Sequence, residues 1–224
     1  MIALISENLF HLFFIVGLCV LIFVPLLLGV VIVLFADRKI WDQRYRAGAY
    51  SSRDYPSEFL KQRLSQSKPG KALDLACGAG RNSIFLAQNG FFVDAVDVSS
   101  VGLERARERA ETLGVSINCL NQDLLDGWKL PSESYSLIIM FRFVALDLLP
   151  VLPEILERGG SLIIEEHLQW KGDDVSGPTN ENFRVPAGEL ARIMDGLKVL
   201  YEYEGLVTEP DGALAALSQL HLIK

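Results

Sequence analysis

The sequence predicts an α/β protein with a doubly wound, mostly parallel seven-stranded sheet and an N-terminal transmembrane helix. Residues 12–36 contain no charged or strongly polar side chain. A short apolar segment, residues 72–76, leads into a Gly-x-Gly turn and then a helical pattern. From there to the C-terminus, apolar runs of strand length alternate with helix-length segments, which is typical of a parallel sheet covered on both faces.

The length and charge of the chain restrict its class. The 224 residues suit one sizeable domain with an appendage. A net charge of −7 argues against nucleic acid as the main partner, because phosphate binding needs a basic face. Cys19, Cys77 and Cys119 show no metal-ligand spacing, so we expect no metal site and a reduced, cytosolic setting for the main domain.

The apolar segment over residues 12–36 is long enough to cross a membrane. At 1.5 Å per residue such a helix spans about 37 Å, against a hydrocarbon core of roughly 30 Å. The basic residues that follow at once are Arg38, Lys39, Arg44 and Arg46. By the positive-inside rule, we expect a single-pass protein of the inner (cytoplasmic) membrane with its main domain in the cytoplasm. The alternative is a misassigned start and a cytoplasmic protein that begins near Ile40.

This prediction divides the chain into four parts. They are a short extracytoplasmic N-terminus (1–11), the transmembrane helix (12–36), a juxtamembrane linker with a cap helix (37–68) and the main domain (69–224). Pro56 begins the cap helix, which we expect over residues 57–67. The aromatic residues Trp41, Tyr45 and Tyr50 before it suit either a packing role or the walls of a ligand pocket.

The first strand, residues 72–75, ends at the turn that contains Gly78 and Gly80, and a helix follows over 81–89. Glycine has no Cβ, so a ligand can approach the backbone of this turn closely. The N-terminus of the following helix offers unpaired N–H groups and the positive end of the helix dipole. We therefore expect a nucleotide or nucleoside site here.

The next strands bring acidic residues to the same edge of the sheet. The second strand, residues 91–97, ends in Asp97, which lies about 20 residues after the turn, where an acidic side chain can accept hydrogen bonds from both ribose hydroxyls. A helix over 100–113 and a third strand over 115–120 follow, and Asp123 comes just after them. The fourth strand, residues 135–141, leads into Arg142.

The C-terminal half continues the alternation. We expect a helix over 146–158 broken by two prolines, a fifth strand over 161–166, and a mobile lid over 169–183. A short helix over 189–197 then precedes two final strands, residues 198–205 and 217–223, joined by a loop at 210–212. The groups expected at the carboxyl ends of the strands are Asp74, Gly78, Gly80, Asp97, Asp123, Phe141, Arg142, Glu165, Glu166 and His167.

The pattern Asp74-x-Ala76-x-Gly78-x-Gly80, with Asp97 and Asp123, resembles the class I S-adenosylmethionine-dependent methyltransferases from about Trp41 to the C-terminus. The resemblance implies a Rossmann-like methyltransferase fold and methyl transfer from S-adenosylmethionine to a small-molecule acceptor. Ala76 departs from the glycine usual in that motif. The implied cofactor-binding residues are Asp74, Ala76, Gly78, Gly80, Asn82, Asp97, Val98, Asp123, Leu124 and Phe141.

Three looser motifs are similar to the tellurite-resistance or thiopurine-type small-molecule methyltransferases. They are Trp41-Asp42-x-Arg44-Tyr45, Gly80-Arg81-Asn82-Ser83 and Gly177-Pro178-x-Asn180. We expect Trp41, Tyr45, Tyr50 and Arg142 to form the substrate pocket. The subgroup motifs do not specify the acceptor.

Two alternatives stay open. An NAD-binding Rossmann oxidoreductase shares the Gly-x-Gly turn and Asp97, but it gives no role to Asp74 in the first strand or to Asp123. A cofactor-binding or scaffold protein with the same fold and no transfer activity is the second alternative.

The candidate catalytic residues are Arg142, Glu165 and His167. A general base is needed only if the attacking atom of the acceptor carries a proton. Strand alternation sends Glu165 and Glu166 to opposite faces of the sheet, so one of them at most points into the pocket. Arg142 could pair with an anionic acceptor, or it could form a salt bridge with Asp147 or Glu166.

Overall fold

The computed structural model describes residues 38–126, 128, 129, 131, 134–172 and 174–224. Residues 42–224 form one compact unit, separate from the residues that precede it. A mixed sheet of seven strands, in the order β3-β2-β1-β4-β5-β7-β6, forms its centre. The strands are β1 (Lys71–Leu75), β2 (Phe92–Asp97), β3 (Asn118–Asn121), β4 (Tyr135–Phe141), β5 (Leu156–His167), β6 (Lys198–Thr208) and β7 (Leu214–Ile223).

The first five strands are parallel to one another, and β7 is the strand that runs in the opposite direction. β1 pairs with β2 and β4, β2 with β3, and β4 with β5, all in parallel. β7 runs antiparallel to both β5 and β6. Because parallel strands share one direction, the carboxyl ends of β1, β2, β4 and β5 lie at the same edge of the sheet.

The helices are short, and most lie between strands. They are α1 (residues 38–46), α2 (Glu58–Arg63), α3 (Arg81–Gln88), α4 (Ser100–Thr112) and α5 (Glu189–Ile193). The helix expected over 146–158 is instead a 3₁₀ segment, Leu146–Ile155. Pro150 and Pro153 lie inside it, and neither has the backbone N–H that an α-helix would use.

The sheet separates two apolar clusters, as a doubly wound fold requires. One cluster packs Phe59 of α2, Leu86 of α3 and Leu103 of α4 against one face. The other packs the 3₁₀ segment and α5 against the opposite face, with Leu73 and Ile138 at its centre. Most of β4 is buried on both faces, which explains its continuous apolar sequence.

Two predictions about the N-terminus are wrong. The fold class of the described residues does not include a transmembrane helix, and a single-pass inner-membrane location is not supported. Within the described residues, no helix is long and apolar enough to cross a bilayer. The span predicted over residues 12–36 lies outside the described residues. The inference relied on the length of an apolar run and on the basic residues that follow it. We correct the fold class to a mixed seven-stranded Rossmann-like sheet with helices on both faces.

The segment over residues 169–183, predicted as a mobile lid, is anchored where it is described. Arg184 donates from Nε to the carbonyl of Pro178 at 2.8 Å and from Nη1 to the carbonyl of Leu168 at 2.9 Å. Ser176 also forms an isolated β-bridge with Ala215 of β7. These contacts hold the segment against the end of the sheet.

Candidate functional site

The turn after β1 is hydrogen-bonded to the end of β2. The backbone N–H of Gly78 donates to Oδ2 of Asp97 at 2.8 Å, and the N–H of Ser99 donates to Oδ1 at 2.8 Å. Asp97 is buried, and burial raises its pKa, although the two N–H donors oppose this effect. Each carboxylate oxygen has a second lone pair, so the group can still accept a ligand hydroxyl.

Gly78 is required at its position by both conformation and space. Its φ is +58°, and a Cβ there would lie 2.4 Å from the hydroxyl oxygen of Tyr45. Tyr45 is buried, and its ring also lies close to Gly102 in the first turn of α4. The structure therefore places Tyr45 against the glycine turn. Gly80, the second glycine of the motif, lies at the N-terminus of α3.

Asp74 lies in β1 with its carboxyl group buried beside the turn. Ser83 in α3 donates from its hydroxyl to Oδ2 of Asp74 at 2.5 Å. Burial raises the pKa of Asp74 to about 7, and the Ser83 hydrogen bond and the charge of Arg81 oppose this rise. A buried carboxyl group held beside a glycine turn suits an ammonium group, which would stabilise its charged form.

Ala76 takes the conformation that the family motif reserves for glycine. Its φ is +56°, in the left-handed region. A small side chain makes this possible at a cost of about 1 kcal/mol. Ala76 thus adopts a backbone conformation that glycine would adopt without strain.

Asp42 takes part in this site, although the sequence alone assigned it no role. Its Oδ1 accepts a hydrogen bond from the Ser99 hydroxyl at 2.6 Å and from the Val101 N–H at 3.3 Å. Ser99 itself caps α4 by accepting from Gly102 N–H at 3.1 Å. Asp42 thus fixes the N-terminus of α4 beside Asp97. The only feature of the sequence that could have indicated this role is the place of Asp42 in the Trp41-Asp42-x-Arg44-Tyr45 motif.

The other predicted cofactor residues are spread around the same edge of the sheet. Asn82 accepts the backbone N–H of Ser57 at 2.9 Å, so its side chain positions α2. Val98 accepts from the Asn121 side chain at 2.9 Å. Asp123 accepts the N–H of Leu125 at 2.9 Å and so shapes the turn after β3. Leu124 is buried in the apolar cluster on one face, and Phe141 in the cluster on the other.

A second cluster of polar side chains surrounds Arg142, directly after β4. Arg142 has a φ of +61°. Its Nε and Nη2 donate to Oε1 of Glu165 at 3.2 and 3.1 Å, and Nη2 also donates to Oε1 of Glu209 at 2.5 Å. Glu165 accepts two more hydrogen bonds, from the Ser57 hydroxyl at 3.2 Å and from Gln219 Nε2 at 2.7 Å. Of the two interpretations of Arg142, the structure shows ion pairing, but with different carboxylates from those expected.

His167 lies beside the guanidinium of Arg142. Nη1 of Arg142 is 3.2 Å from Nδ1 and 3.3 Å from Nε2 of the ring. Burial and the charge of Arg142 lower the pKa of His167 to about 3, so the ring is neutral at pH 7. Gly177 packs on this ring, because a Cβ there would be 2.4 Å from Cε1 of His167.

Glu166 points to the other face of the sheet from Glu165. It is fully buried, and among the described residues neither carboxyl oxygen has a hydrogen-bond partner of normal geometry. Burial raises its pKa well above the usual range, and the N–H of Phe143 and the charge of Arg142 only partly oppose this. Glu166 therefore lies outside the hydrogen-bonded cluster around Glu165, and its burial favours the protonated form.

The remaining predicted pocket residues are not all brought together. Tyr50, with a φ of +60°, lies 6.1 Å from the ring of Tyr45 and is partly exposed. Trp41 is half-buried and belongs to the unit that ends at that residue, so its role in the pocket stays a prediction. Glu209, Gln219 and Ser57 were missed, because none lies in a motif or at the end of a parallel strand.

Comparison with known proteins supports the interpretation of the glycine turn. Residues 72–159 match a family model described as a methyltransferase domain. A protein-L-isoaspartate O-methyltransferase from Pelodictyon phaeoclathratiforme is 33% identical over 104 residues, which cover 43% of this chain and 47% of that protein. The chain thus spans about half the length, or less, of the curated relatives that it matches.

Solved structures share the fold at low identity. TehB from Haemophilus influenzae has a TM-score of 0.63 and 21% identity, covering 82% of this chain and 67% of that one. Geranyl diphosphate C-methyltransferase from Streptomyces coelicolor A3(2), solved with S-adenosyl-L-homocysteine, has a TM-score of 0.58 and 17% identity, covering 81% and 84%. Residues 72–159 therefore match a methyltransferase domain, and the chain shares the fold of these solved structures.

Proposed function

We propose that the whole protein transfers a methyl group from S-adenosylmethionine to a small-molecule acceptor bound beside Arg142, Glu165 and His167. The observation that carries this proposal is the position of two polar clusters at one edge of the sheet. One lies at the ends of β1 and β2, around Asp74 and Asp97. The other lies at the ends of β4 and β5.

The first cluster fits the cofactor. When bound, S-adenosylmethionine supplies a methyl group on a positively charged sulfur. In the proposed arrangement, the Asp74 carboxylate binds the amino group of the methionine part, and Asp97 accepts from the ribose hydroxyls. Gly78, with its left-handed backbone, shapes the turn that would face the cofactor. Asp123 is the proposed partner of the adenine amino group.

The cluster around Arg142 is better suited to positioning the acceptor than to removing a proton from it. The carboxylate of Glu165 already accepts hydrogen bonds from Arg142, Ser57 and Gln219. His167, with a pKa of about 3, binds a proton too weakly to act as an efficient base near pH 7. Methyl transfer can be accelerated by holding the reacting atoms in line in a site that excludes water. We therefore infer that the acceptor attacks through an atom that carries no proton at neutral pH.

We further propose that the protein belongs to the tellurite-resistance or thiopurine-type subgroup. The likeness to TehB from Haemophilus influenzae supports this proposal. Two residues of the subgroup motifs also support it. Gly177 of the third motif packs on His167, and Asp42 of the first motif fixes the N-terminus of α4.

A labelling experiment tests the proposed activity. The protein is incubated with methyl-labelled S-adenosylmethionine and a small-molecule metabolite extract, and labelled products are separated and identified. We expect label in at least one small molecule, and much less label with Asp97→Ala as the matched control. Tight cofactor binding without any labelled product would favour the alternative of a cofactor-binding or scaffold protein.

A further inference from the structure

Glu209 and Glu165 share the same guanidinium nitrogen of Arg142. Oε1 of Glu209 accepts from Nη2 at 2.5 Å, and Oε1 of Glu165 accepts from Nη2 at 3.1 Å. Glu209 comes from a separate part of the chain, because it directly follows β6 in the turn to β7. The side chains of Arg142 and Glu209 are each 13% exposed, so this ion pair is largely shielded from water.

The two carboxylates are held unequally. Glu165 accepts additional hydrogen bonds from Ser57 and Gln219, at 3.2 and 2.7 Å. Within the ranges that the structure describes, Arg142 is the only hydrogen-bond partner of the Glu209 side chain. The backbone of Glu209 is fixed separately, because its N–H donates to the carbonyl of Ala213 at 2.8 Å. The side chain of Glu209 can therefore rotate away without opening the turn, whereas Glu165 is fixed.

Glu209 supplies part of the negative charge that compensates the guanidinium groups of this cluster. Arg81 is a second, half-buried guanidinium, whose pKa is lowered by burial and by the charges of Arg142 and Arg53, and raised by Glu165 and Glu209. The positive charges of Arg81 and Arg142 therefore face the negative charges of the two glutamates. If the Glu209 side chain leaves, one positive charge is uncompensated in a poorly hydrated site, which is unfavourable unless another anion takes its place.

We propose that Glu209 is a specificity-determining residue, whose carboxylate holds the place of a singly charged anionic group of the acceptor. This inference rests on the proposed function, because it takes the cluster around Arg142 as the acceptor site. An acceptor with one carboxylate or one singly charged oxyanion replaces the negative charge of Glu209 when it displaces that side chain. A neutral acceptor leaves the positive charge uncompensated, so the site discriminates against it.

Calorimetric titration with a charged probe and its neutral analogue tests this proposal. The probes are benzoate and benzamide, which share a ring and differ in charge. They are titrated into the full chain, with and without S-adenosylhomocysteine, as wild type, Glu209→Gln and Glu202→Gln. Glu202 is an exposed carboxylate of β6 and serves as the matched control. We expect Glu209→Gln to bind benzoate at least about tenfold more tightly than the wild type, with no gain for benzamide or in Glu202→Gln.

Two results would overturn the proposal. One is an equal benzoate affinity in the wild type and Glu209→Gln, with Glu209→Ala giving the same result. The other is a gain for benzamide as large as that for benzoate. Neither readout requires methyl transfer. A gain specific for benzoate in a protein that binds no cofactor would uphold the role of Glu209 as an anion place-holder and refute the proposed function, so the two failures are distinguishable.

Discussion

The N–H of Gly78 donates a hydrogen bond of 2.8 Å to Asp97, and this contact joins the turn after β1 to the end of β2. The opposite oxygen of Asp97 is held by the N–H of Ser99 at the same distance of 2.8 Å. One carboxylate thus fixes both the glycine turn and the start of α4. The side chain proposed to bind the ribose also builds the surface on which the cofactor would lie.

Replacing Asp97 with alanine should weaken cofactor binding strongly. A charge-assisted hydrogen bond contributes about 1.5–3 kcal/mol, so the Kd for S-adenosylmethionine should rise by roughly 10- to 150-fold. Calorimetry measures the Kd, and circular dichroism checks that the variant is folded. The exposed Asp195→Ala serves as control and should bind like the wild type. An unchanged Kd in folded Asp97→Ala would reject the ribose assignment.

The close packing of Tyr45 on Gly78 predicts a partial rescue. Gly78→Ala should destabilise the protein by about 1–3 kcal/mol, because its Cβ meets the Tyr45 hydroxyl at 2.4 Å and its φ is +58°. Adding Tyr45→Phe removes the clashing oxygen and leaves the next ring atom 3.5 Å away. Urea unfolding of the two single variants and the double variant should show that part of the loss is recovered. Purely additive losses would mean that the turn moves to avoid the clash.

The left-handed conformation of Ala76 predicts a stabilising substitution. Ala76→Gly should raise the free energy of unfolding by about 0.5–1 kcal/mol, because glycine adopts a φ of +56° without strain. Thermal unfolding measures the change. Ala87→Gly in α3 is the matched control and should lower stability, since its backbone is helical. A fall in stability for Ala76→Gly would show that the Ala76 methyl group contributes packing that outweighs the strain.

Most of the first cluster could be predicted, because its signals are local in sequence. In the sequence, the first strand is followed directly by the two glycines of the turn, and Asp97 comes about 20 residues after that turn. The second cluster could be predicted only in part. Arg142 and Glu165 end neighbouring parallel strands, but Glu209 lies 67 residues beyond Arg142 and meets it only because β6 and β7 turn back antiparallel. Such contacts depend on tertiary packing, which periodicity does not encode.

The ion pairs of Arg142 predict a large stability loss when its charge is removed. Arg142→Gln leaves two largely buried carboxylates without their shared cation, so unfolding should become easier by about 3–5 kcal/mol. Urea unfolding near pH 7.5 measures this change. Arg192→Gln, which breaks an exposed ion pair with Glu189, is the matched control and should have no measurable effect. A similar result for both variants would show that the Arg142 cluster is well hydrated.

Asp74 predicts a specific dependence of stability on pH. Its pKa is raised from 3.8 to about 7 by burial, so the folded state holds a proton that the unfolded state releases between these values. Folding therefore favours the protonated carboxyl group, and the contribution of Asp74 to stability is lost as the pH rises through this range. The slope reaches at most about 1.4 kcal/mol per pH unit.

Comparing wild type with Asp74→Asn isolates this contribution, because asparagine can still accept the hydrogen bond from Ser83 and carries no charge. The stability of Asp74→Asn relative to the wild type should increase between about pH 4 and about pH 7 and then level off. Urea unfolding at several pH values measures it, with the exposed Asp195→Asn as control. Parallel stability curves for wild type and Asp74→Asn would show that Asp74 titrates normally and is hydrated. A saturating ammonium-bearing cofactor should remove the difference in slope, because it stabilises the ionised carboxylate that burial disfavours.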